Sequence, residues 1–131
     1  MSKPILDVEI QTPDDKAATV KAVIDSGSFY TIVREDKVPS AASIVWRKTP
    51  RVLRAAVKGS QPVAIGDVSL VLTVSGRQID DVALVCRDMA QDMIIGAGTM
   101  QKWDISILNR NGHTEVSVGR DMHDADLTEV D

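Results

Sequence analysis

The residues best suited to chemistry in this chain are Asp25-Ser26-Gly27, which follow the apolar run Ala22-Val23-Ile24. An acid at the end of a buried strand, beside a small hydroxyl residue and a glycine, is a costly arrangement for a fold that needs only stability. Burial disfavours the ionised form of a carboxyl group and raises its pKa unless a partner compensates. A carboxyl group in such a setting is suited to acid–base catalysis, so Asp25 is the candidate catalytic residue.

The elements that must position this triplet read mostly as short strands. Apolar and polar residues alternate over 5–10, a turn is predicted over 12–15, and a second strand is predicted over 17–24. Further strands are predicted over 31–33, 44–46, 51–57, 63–65, 68–74, 79–86, 105–108 and 114–118. A loop or short helical turn is predicted over 34–43, and a single helix around 98–102. Many short strands separated by turn signals indicate an all-β barrel or sandwich.

The length and composition indicate one domain. At 131 residues the chain is near the commonest domain size, and aromatics make up only 3%, so the core must be aliphatic. We expect the domain to span 1–120. The remaining residues, 121–131, carry five acids and no Lys or Arg, and we expect a mobile tail or linker there.

Charge and cysteine usage limit the partners and the compartment. A net charge of -4 argues against nucleic acid as the main partner, because phosphate binding needs clustered Lys and Arg. No apolar run is long enough for a membrane span, and Met1–Pro4 lacks the apolar stretch of a signal peptide. Cys86 has no second cysteine to pair with. We expect a cytoplasmic or intracellular protein without nucleic-acid or membrane partners.

Two later segments give the triplet its meaning. The apolar run Met93-Ile94-Ile95 ends at Gly96, about seventy residues after the triplet, and a glycine-containing loop over 55–62 lies between them. A lone Asp-Ser-Gly is common by chance. The triplet, the central glycine loop and the late Ile-Ile-Gly, in this order and spacing, closely resemble the retroviral-type (retropepsin-like) aspartic proteases. The resemblance runs from about Ile5 to Leu108.

The resemblance implies a closed, barrel-like all-β acid protease fold with one lobe per chain and one short C-terminal helix. It also implies that the glycine loop is a flap closing over the substrate. Ser26 and Gly27 would support the active site. The serine hydroxyl can bridge the two catalytic carboxylates that this family uses, and the glycine permits a sharp turn of the backbone. The residues expected to bind substrate are Ser28, Lys58, Gly59, Ser60 and Ile95. Ile32, Val57 and Ile95 suggest apolar side chains beside the cleaved bond.

The chain contains only one Asp-Ser-Gly. Peptide hydrolysis in this family uses two carboxylates that share a proton and activate a water between them. The resemblance therefore implies a homodimer in which each chain supplies one Asp25, acting as an endopeptidase on a polypeptide substrate without a cofactor. No metal site is expected, because His113 and His123 lack ligand spacing with Cys86. Natural settings are a retroelement or retroviral polyprotein, including a virus-like particle, or a cellular or bacterial protease.

The chain also departs from the family. Retroviral members often carry an acid two residues after the triplet glycine and an Arg directly after the late glycine, and these two pair near the dimer interface. Here the positions hold Phe29 and Ala97, so the dimer must be held differently. The chain continues with Asn111-Gly112 and a final strand over 114–118. We expect this extra hairpin to rebuild the terminal-strand sheet of the dimer.

Two other interpretations stay open. The same fold could serve as a non-catalytic dimerisation or peptide-binding β-domain, although such a module has no physical need of an intact Asp-Ser-Gly. A basic stretch without acids between its members also calls for an explanation. It contains Arg47, Lys48, Arg51, Arg54 and Lys58. This stretch is either a solvated strand face or a contact for the acidic tail or an acidic substrate.

Overall fold

A computed structural model of the chain describes residues 3–54 and 61–124. The strands are β1 (Ile5–Gln11), β2 (Ala17–Asp25), β3 (Ile32–Arg34), β4 (Val45–Val52), β5 (Val63–Val74), β6 (Arg77–Cys86), β7 (Met93–Gly96), β8 (Ile105–Arg110) and β9 (His113–Val118). The helix α1 spans Ala97–Trp103, and single 3₁₀ turns occupy Glu35–Lys37 and Ala41–Ser43. These turns lie in the segment for which a loop or short helical turn was predicted.

The main sheet closes on itself. Its strands follow the order β1-β2-β7-β3-β6-β5-β4, and β1 also pairs with β5 through Glu9 and Thr73. The ring therefore consists of β1, β2, β7, β3, β6 and β5, with β4 added outside on β5. Strands β8 and β9 form a separate antiparallel hairpin. The predicted all-β, barrel-like fold with one short helix is confirmed.

Local turn chemistry explains the hairpins. β5 and β6 are joined by Ser75 and Gly76, whose φ angles are 48° and 78°. Asn111 and Gly112 join β8 to β9 with φ angles of 50° and 79°. Two consecutive residues with positive φ are typical of the turn that matches the right-handed twist of a two-stranded hairpin. Glycine in the second position adopts this conformation without steric cost.

The barrel interior is aliphatic because burial alternates along the strands. In β5 every second residue is buried, from Ala64 to Val74. The fully buried side chains of the core include Val8, Ile10, Ile24, Val33, Val68, Leu72, Ile79, Val85, Met93 and Ile95. Trp103 closes one side of this core, and its indole nitrogen donates to the Asp80 carbonyl at 2.9 Å. Burial of this apolar area is the main stabilising term of the fold.

The structure corrects some predicted boundaries. The bend expected at Gly66-Asp67 is a shift of register within one continuous β5, between Ala64 and Gly66. The two strands expected at 44–46 and 51–57 are one strand, β4, which ends at Val52. Residues 55–57 lie outside the described residues.

The segment predicted as a mobile tail is held at its start. The Arg77 guanidinium contacts the carboxylates of Asp121 and Asp124 at 2.7 and 2.9 Å. The backbone N–H of Met122 donates to the Gln78 carbonyl at 2.8 Å. The first four residues of the tail therefore contact β6, and the mobility expected over 121–131 stays a prediction. No helix among the described residues is long and apolar enough to cross a membrane.

Candidate active site

Asp25 is the last residue of β2. β2 runs parallel to β7, and the register places Asp25 opposite Gly96, the last residue of β7. The triplet and the late Ile-Ile-Gly, far apart in the sequence, therefore end side by side. The two segments that carry the family resemblance are therefore neighbours in the fold.

Both carboxylate oxygens of Asp25 have partners. The backbone N–H of Gly27 donates to Oδ1 at 2.9 Å, and Lys3 Nζ contacts Oδ2 at 2.9 Å. The residue is only 9% exposed, whereas the Lys3 side chain is 49% exposed. The glycine fixes the orientation of the carboxylate. The lysine is a half-exposed, flexible partner that can leave without disturbing the core.

The loop after Asp25 crosses closely over the end of β7. Ala97 N–H donates to the Ser28 carbonyl at 2.6 Å, and Gly98 N–H donates to the Phe29 carbonyl at 2.9 Å. A Cβ on Gly96 would lie 2.6 Å from the Ser28 carbonyl oxygen, which real Cβ atoms do not tolerate. Glycine is thus required at 96 so that the loop carrying Asp25 can lie against β7.

A hydroxyl network under this loop was missed by sequence reasoning. Gly96 N–H donates to Thr31 Oγ1 at 3.1 Å, and the Thr31 and Thr99 hydroxyl oxygens lie 2.6 Å apart. The Thr99 hydroxyl in turn contacts Asp81 Oδ2. Because a carboxylate only accepts, Thr99 must donate to Asp81 and Thr31 must donate to Thr99. The chain of hydrogen bonds therefore runs from Gly96 N–H, beside Asp25, through the Thr31 and Thr99 hydroxyls to Asp81.

Asp25 opens into a groove with a volume of about 700 Å³. Gly27, Ser28, Tyr30, Ile32 and Ile94 are among the residues that line it. The far wall comes from the end of β4 and the residues after it, 51–54, with Pro62. The groove joins the candidate catalytic carboxylate to apolar and basic surfaces and is large enough for several side chains of a peptide.

The structure places some of the predicted substrate-binding residues on the groove wall and one of them in the core. Ser28 lines the groove, and its hydroxyl donates to the Tyr30 carbonyl at 2.9 Å. Ile95 is 0% exposed and belongs to the core, so its predicted contact with substrate is wrong. Ile94 lines the groove instead, because successive side chains of a strand point to opposite faces. Ile32 lines the groove as predicted.

The predicted flap residues Lys58, Gly59 and Ser60, and also Val57, lie outside the described residues. On either side of them, β4 and β5 pair antiparallel, with Val52 opposite Val63.

Ser26 faces a second cavity of about 390 Å³. This cavity separates the triplet from the β8–β9 hairpin and is also lined by Ile107, Asn109, His113 and Thr114. The extra hairpin therefore lies beside the Asp25-Ser26-Gly27 triplet. Its position was not deducible from the sequence, which gave only its existence.

Cys86 lies in a small cluster behind the groove. It packs with Ile32, Leu53, Ala64 and Leu84, and it is 0% exposed. Burial raises the pKa of the Cys86 thiol to about 11, so the thiol is protonated at neutral pH. Its role is packing. Across 3–54 and 61–124, no group of three or more His, Cys, Asp or Glu side chains is placed to hold a metal ion.

The model of the Ty3 transposon peptidase family matches residues 7–127, which is most of the chain. The chain belongs to the Ty3 transposon peptidase family. The prediction of a retropepsin-like relationship is thereby confirmed. No curated protein matches this family member at a significant level.

Solved structures share the fold of this member of the Ty3 transposon peptidase family. The retroviral protease-like domain of Ddi1 from Leishmania major is 18% identical with a TM-score of 0.57, over 88% of this chain and 93% of that one. The EIAV protease complexed with the inhibitor HBY-793 is 15% identical with a TM-score of 0.56, over 82% of this chain and 94% of that one. At these identities the likeness extends to the fold alone.

Proposed function

We propose that this chain is an aspartic endopeptidase that acts as a homodimer, with Asp25 of each chain forming the catalytic pair. The observation that carries the proposal is the placement of Asp25. It is a nearly buried carboxylate, oriented by Gly27 N–H, beside Gly96 on the floor of a peptide-sized groove. Membership of a peptidase family supports the reaction class.

The proposed chemistry needs two carboxylates a hydrogen bond apart. Two like charges at that distance do not both ionise readily, so the pair holds one proton. The ionised carboxylate accepts a proton from a water as the water oxygen attacks the peptide carbonyl carbon. The protonated partner gives its proton to the carbonyl oxygen. Collapse of the tetrahedral intermediate then breaks the C–N bond, and the leaving nitrogen receives a proton from the pair.

One chain supplies one Asp-Ser-Gly, and this supports a dimer with two-fold symmetry. The β8–β9 hairpin is a suitable contact surface. Within the described residues these two strands pair only with each other, and the hairpin lies across a cavity from Ser26. We infer that the hairpin pairs with its symmetry mate and thereby brings the two triplets together, in place of the ion pair whose positions hold Phe29 and Ala97.

The mechanism is tested by mixing wild type with Asp25→Asn. The variant should fold and dimerise but show no cleavage of a peptide pool at pH 4–7. If each site needs one Asp25 from each chain, a threefold excess of Asp25→Asn should leave only a minority of wild-type chains in active dimers, and activity should fall several-fold. Activity that is unaffected by the variant, or a purified Asp25→Asn protein that still cleaves, would contradict the proposal.

The control is Asp15→Asn, the same change at an exposed turn residue outside the groove, and it should not inhibit in the mixture. Specific activity of the wild type should also fall on dilution, as the dimer dissociates. Peptide binding without cleavage, insensitive to a statine-type inhibitor, would identify the chain as a peptide-binding module of the same fold.

The natural task proposed is processing of a retroelement polyprotein, in the cytoplasm or in a virus-like particle. The family description supports this setting. The expected substrates are polypeptides with apolar residues beside the cleaved bond, in keeping with Val23, Ile32 and Ile94 on the groove wall.

A further inference from the structure

The groove beside Asp25 carries more positive charge than its own acid can neutralise. Four charged residues line it: Lys3, Asp25, Arg51 and Arg54. Lys3 contacts Asp25, so these two charges compensate each other. Neither arginine has a carboxylate partner within 4.0 Å among residues 3–54 and 61–124. One wall of the groove therefore carries two guanidinium groups that no carboxylate of the described residues pairs with.

Arg51 is held in place by the active-site loop. Its guanidinium carbon lies 4.7 Å from the centre of the Tyr30 ring, and its Nη2 donates to the Tyr30 hydroxyl. The Tyr30 ring in turn packs edge-to-face against Phe29, with centroids 5.2 Å apart. A neutral hydroxyl takes one of five N–H donors and leaves the charge in place. Arg51 is thus oriented, charged and able to bind a carboxylate with two parallel hydrogen bonds.

Arg54 is placed on the same wall by its neighbour. Leu53 is 3% exposed, and its N–H donates to the Pro62 carbonyl at 2.8 Å. This buried anchor fixes the backbone between the two arginines. Elsewhere in the basic stretch the situation differs. Arg47 pairs with Asp67 at 2.9 Å, and Lys48 is exposed and does not line the groove.

We propose that the groove selects peptides with a Glu or Asp side chain near the cleaved bond, bound by Arg51 and Arg54. The inference rests on the proposed function, since it takes this groove as the peptide cleft. The chain as a whole carries a net charge of -4, which repels acidic peptides at long range. A preference for acidic peptides must therefore arise locally, from these two arginines.

Binding tests the proposal independently of cleavage. The probes are two pools of fluorescein-labelled octapeptides with an apolar central pair, acetylated and amidated so that no terminal carboxylate is present. One pool carries Glu at flanking positions, and the other carries Gln at the same positions. Fluorescence anisotropy at pH 7 and low salt should show about tenfold tighter binding of the Glu pool, the scale of one oriented charge-assisted pair. The advantage should shrink at 0.5 M salt.

Matched variants locate the effect. Arg51→Gln combined with Arg54→Gln should bring the two pools to nearly equal affinity. Lys48→Gln removes one positive charge from β4, the strand of Arg51, at a position outside the groove, and it should keep the preference. Equal binding of both pools by the wild type, no binding of either, or an equal loss in Lys48→Gln would overturn the inference. Cleavage measured on the same pools reports on the endopeptidase itself. Selective binding without Asp25-dependent cleavage would reject that function and retain the acidic preference.

Discussion

Thr99→Val is the sharpest test of how the fold holds the loop that carries Asp25. Thr99 is 1% exposed, and its hydroxyl donates to Asp81 and accepts from Thr31. Valine has nearly the same shape, so the change removes hydrogen bonds and leaves no cavity. The Thr31 hydroxyl, at 5% exposure, would then be a buried donor without a partner.

The magnitude follows from the groups left behind. The Thr31 hydroxyl, as an unsatisfied buried donor, costs about 1–3 kcal/mol. Loss of the hydrogen bond from Thr99 to the charged Asp81 costs a similar amount. This second cost is reduced because Asp81 is partly exposed and regains a hydrogen bond to water. The added methyl group of valine offsets about 0.8 kcal/mol. We expect the free energy of unfolding to fall by about 2–3 kcal/mol. Thr19→Val, the same change on the exposed face of β2, should alter it by less than about 0.5 kcal/mol.

The measurement is urea denaturation at one fixed protein concentration, since dimerisation would contribute to stability. A double-mutant cycle isolates the pair. Thr31→Val with Thr99→Val removes both hydroxyls, and it should cost at least about 1 kcal/mol less than the sum of the single changes. A Thr99→Val protein as stable as the Thr19→Val control, or strictly additive changes, would refute the network.

Three further predictions follow from single contacts. Lys3→Ala should increase peptide cleavage several-fold over wild type. The reason is that Lys3 occupies Oδ2 of Asp25, the oxygen that Gly27 leaves available to water or to the partner carboxylate. An unchanged or lower kcat/KM would show that Lys3 does not compete with them for this oxygen. The Arg77 guanidinium lowers the pKa of Asp121, so the contact stabilises the fold above the ordinary carboxyl pKa, and this stability is lost as the pH falls through the lowered pKa. In Arg77→Gln, NMR titration of the carboxyl groups should show a higher pKa for Asp121. An unchanged titration would contradict the pair. Burial raises the pKa of the Cys86 thiol to about 11. At pH 8 this thiol should react with a disulfide reagent at least about a hundredfold more slowly in the folded protein than in urea. Rapid labelling of the folded protein would show that the side chains packed around Cys86 open to solvent.

Features that depend on a local pattern of residues could be predicted from the sequence. The strands predicted over 5–10, 17–24 and 79–86 match β1, β2 and β6 to within two residues at each end, and Asn111-Gly112 marked the tight turn of the final hairpin. The triplet and the late glycine were also found, because their residue types, order and spacing resemble those of a known family. Gly27 N–H must reach the carboxylate, and Gly96 must admit the crossing loop.

Features that depend on the register between distant strands could not be predicted from the sequence. Met93-Ile94-Ile95 is apolar throughout, so nothing in it shows which isoleucine faces the groove, and Ile95 was assigned to the wrong side. Thr31 and Thr99 are 68 residues apart, and their contact exists only because β7 lies between β2 and β3. Neither Thr31, just before β3, nor Thr99, in α1, predicts a hydrogen-bond partner by its residue type alone.

The basic stretch shows how a three-dimensional contact gives meaning to an ambiguous pattern. By sequence, Arg47, Arg51 and Arg54 are equivalent cations along one segment. In the fold, Arg47 is neutralised by Asp67, whereas Arg51 lies over Tyr30, only five residues beyond the candidate catalytic Asp25. The loop that carries the carboxylate thus also orients the cation. A displacement of this loop would therefore change both the candidate catalytic group and the charge presented to a peptide, so variants of Tyr30 should affect turnover and the preference for acidic residues together.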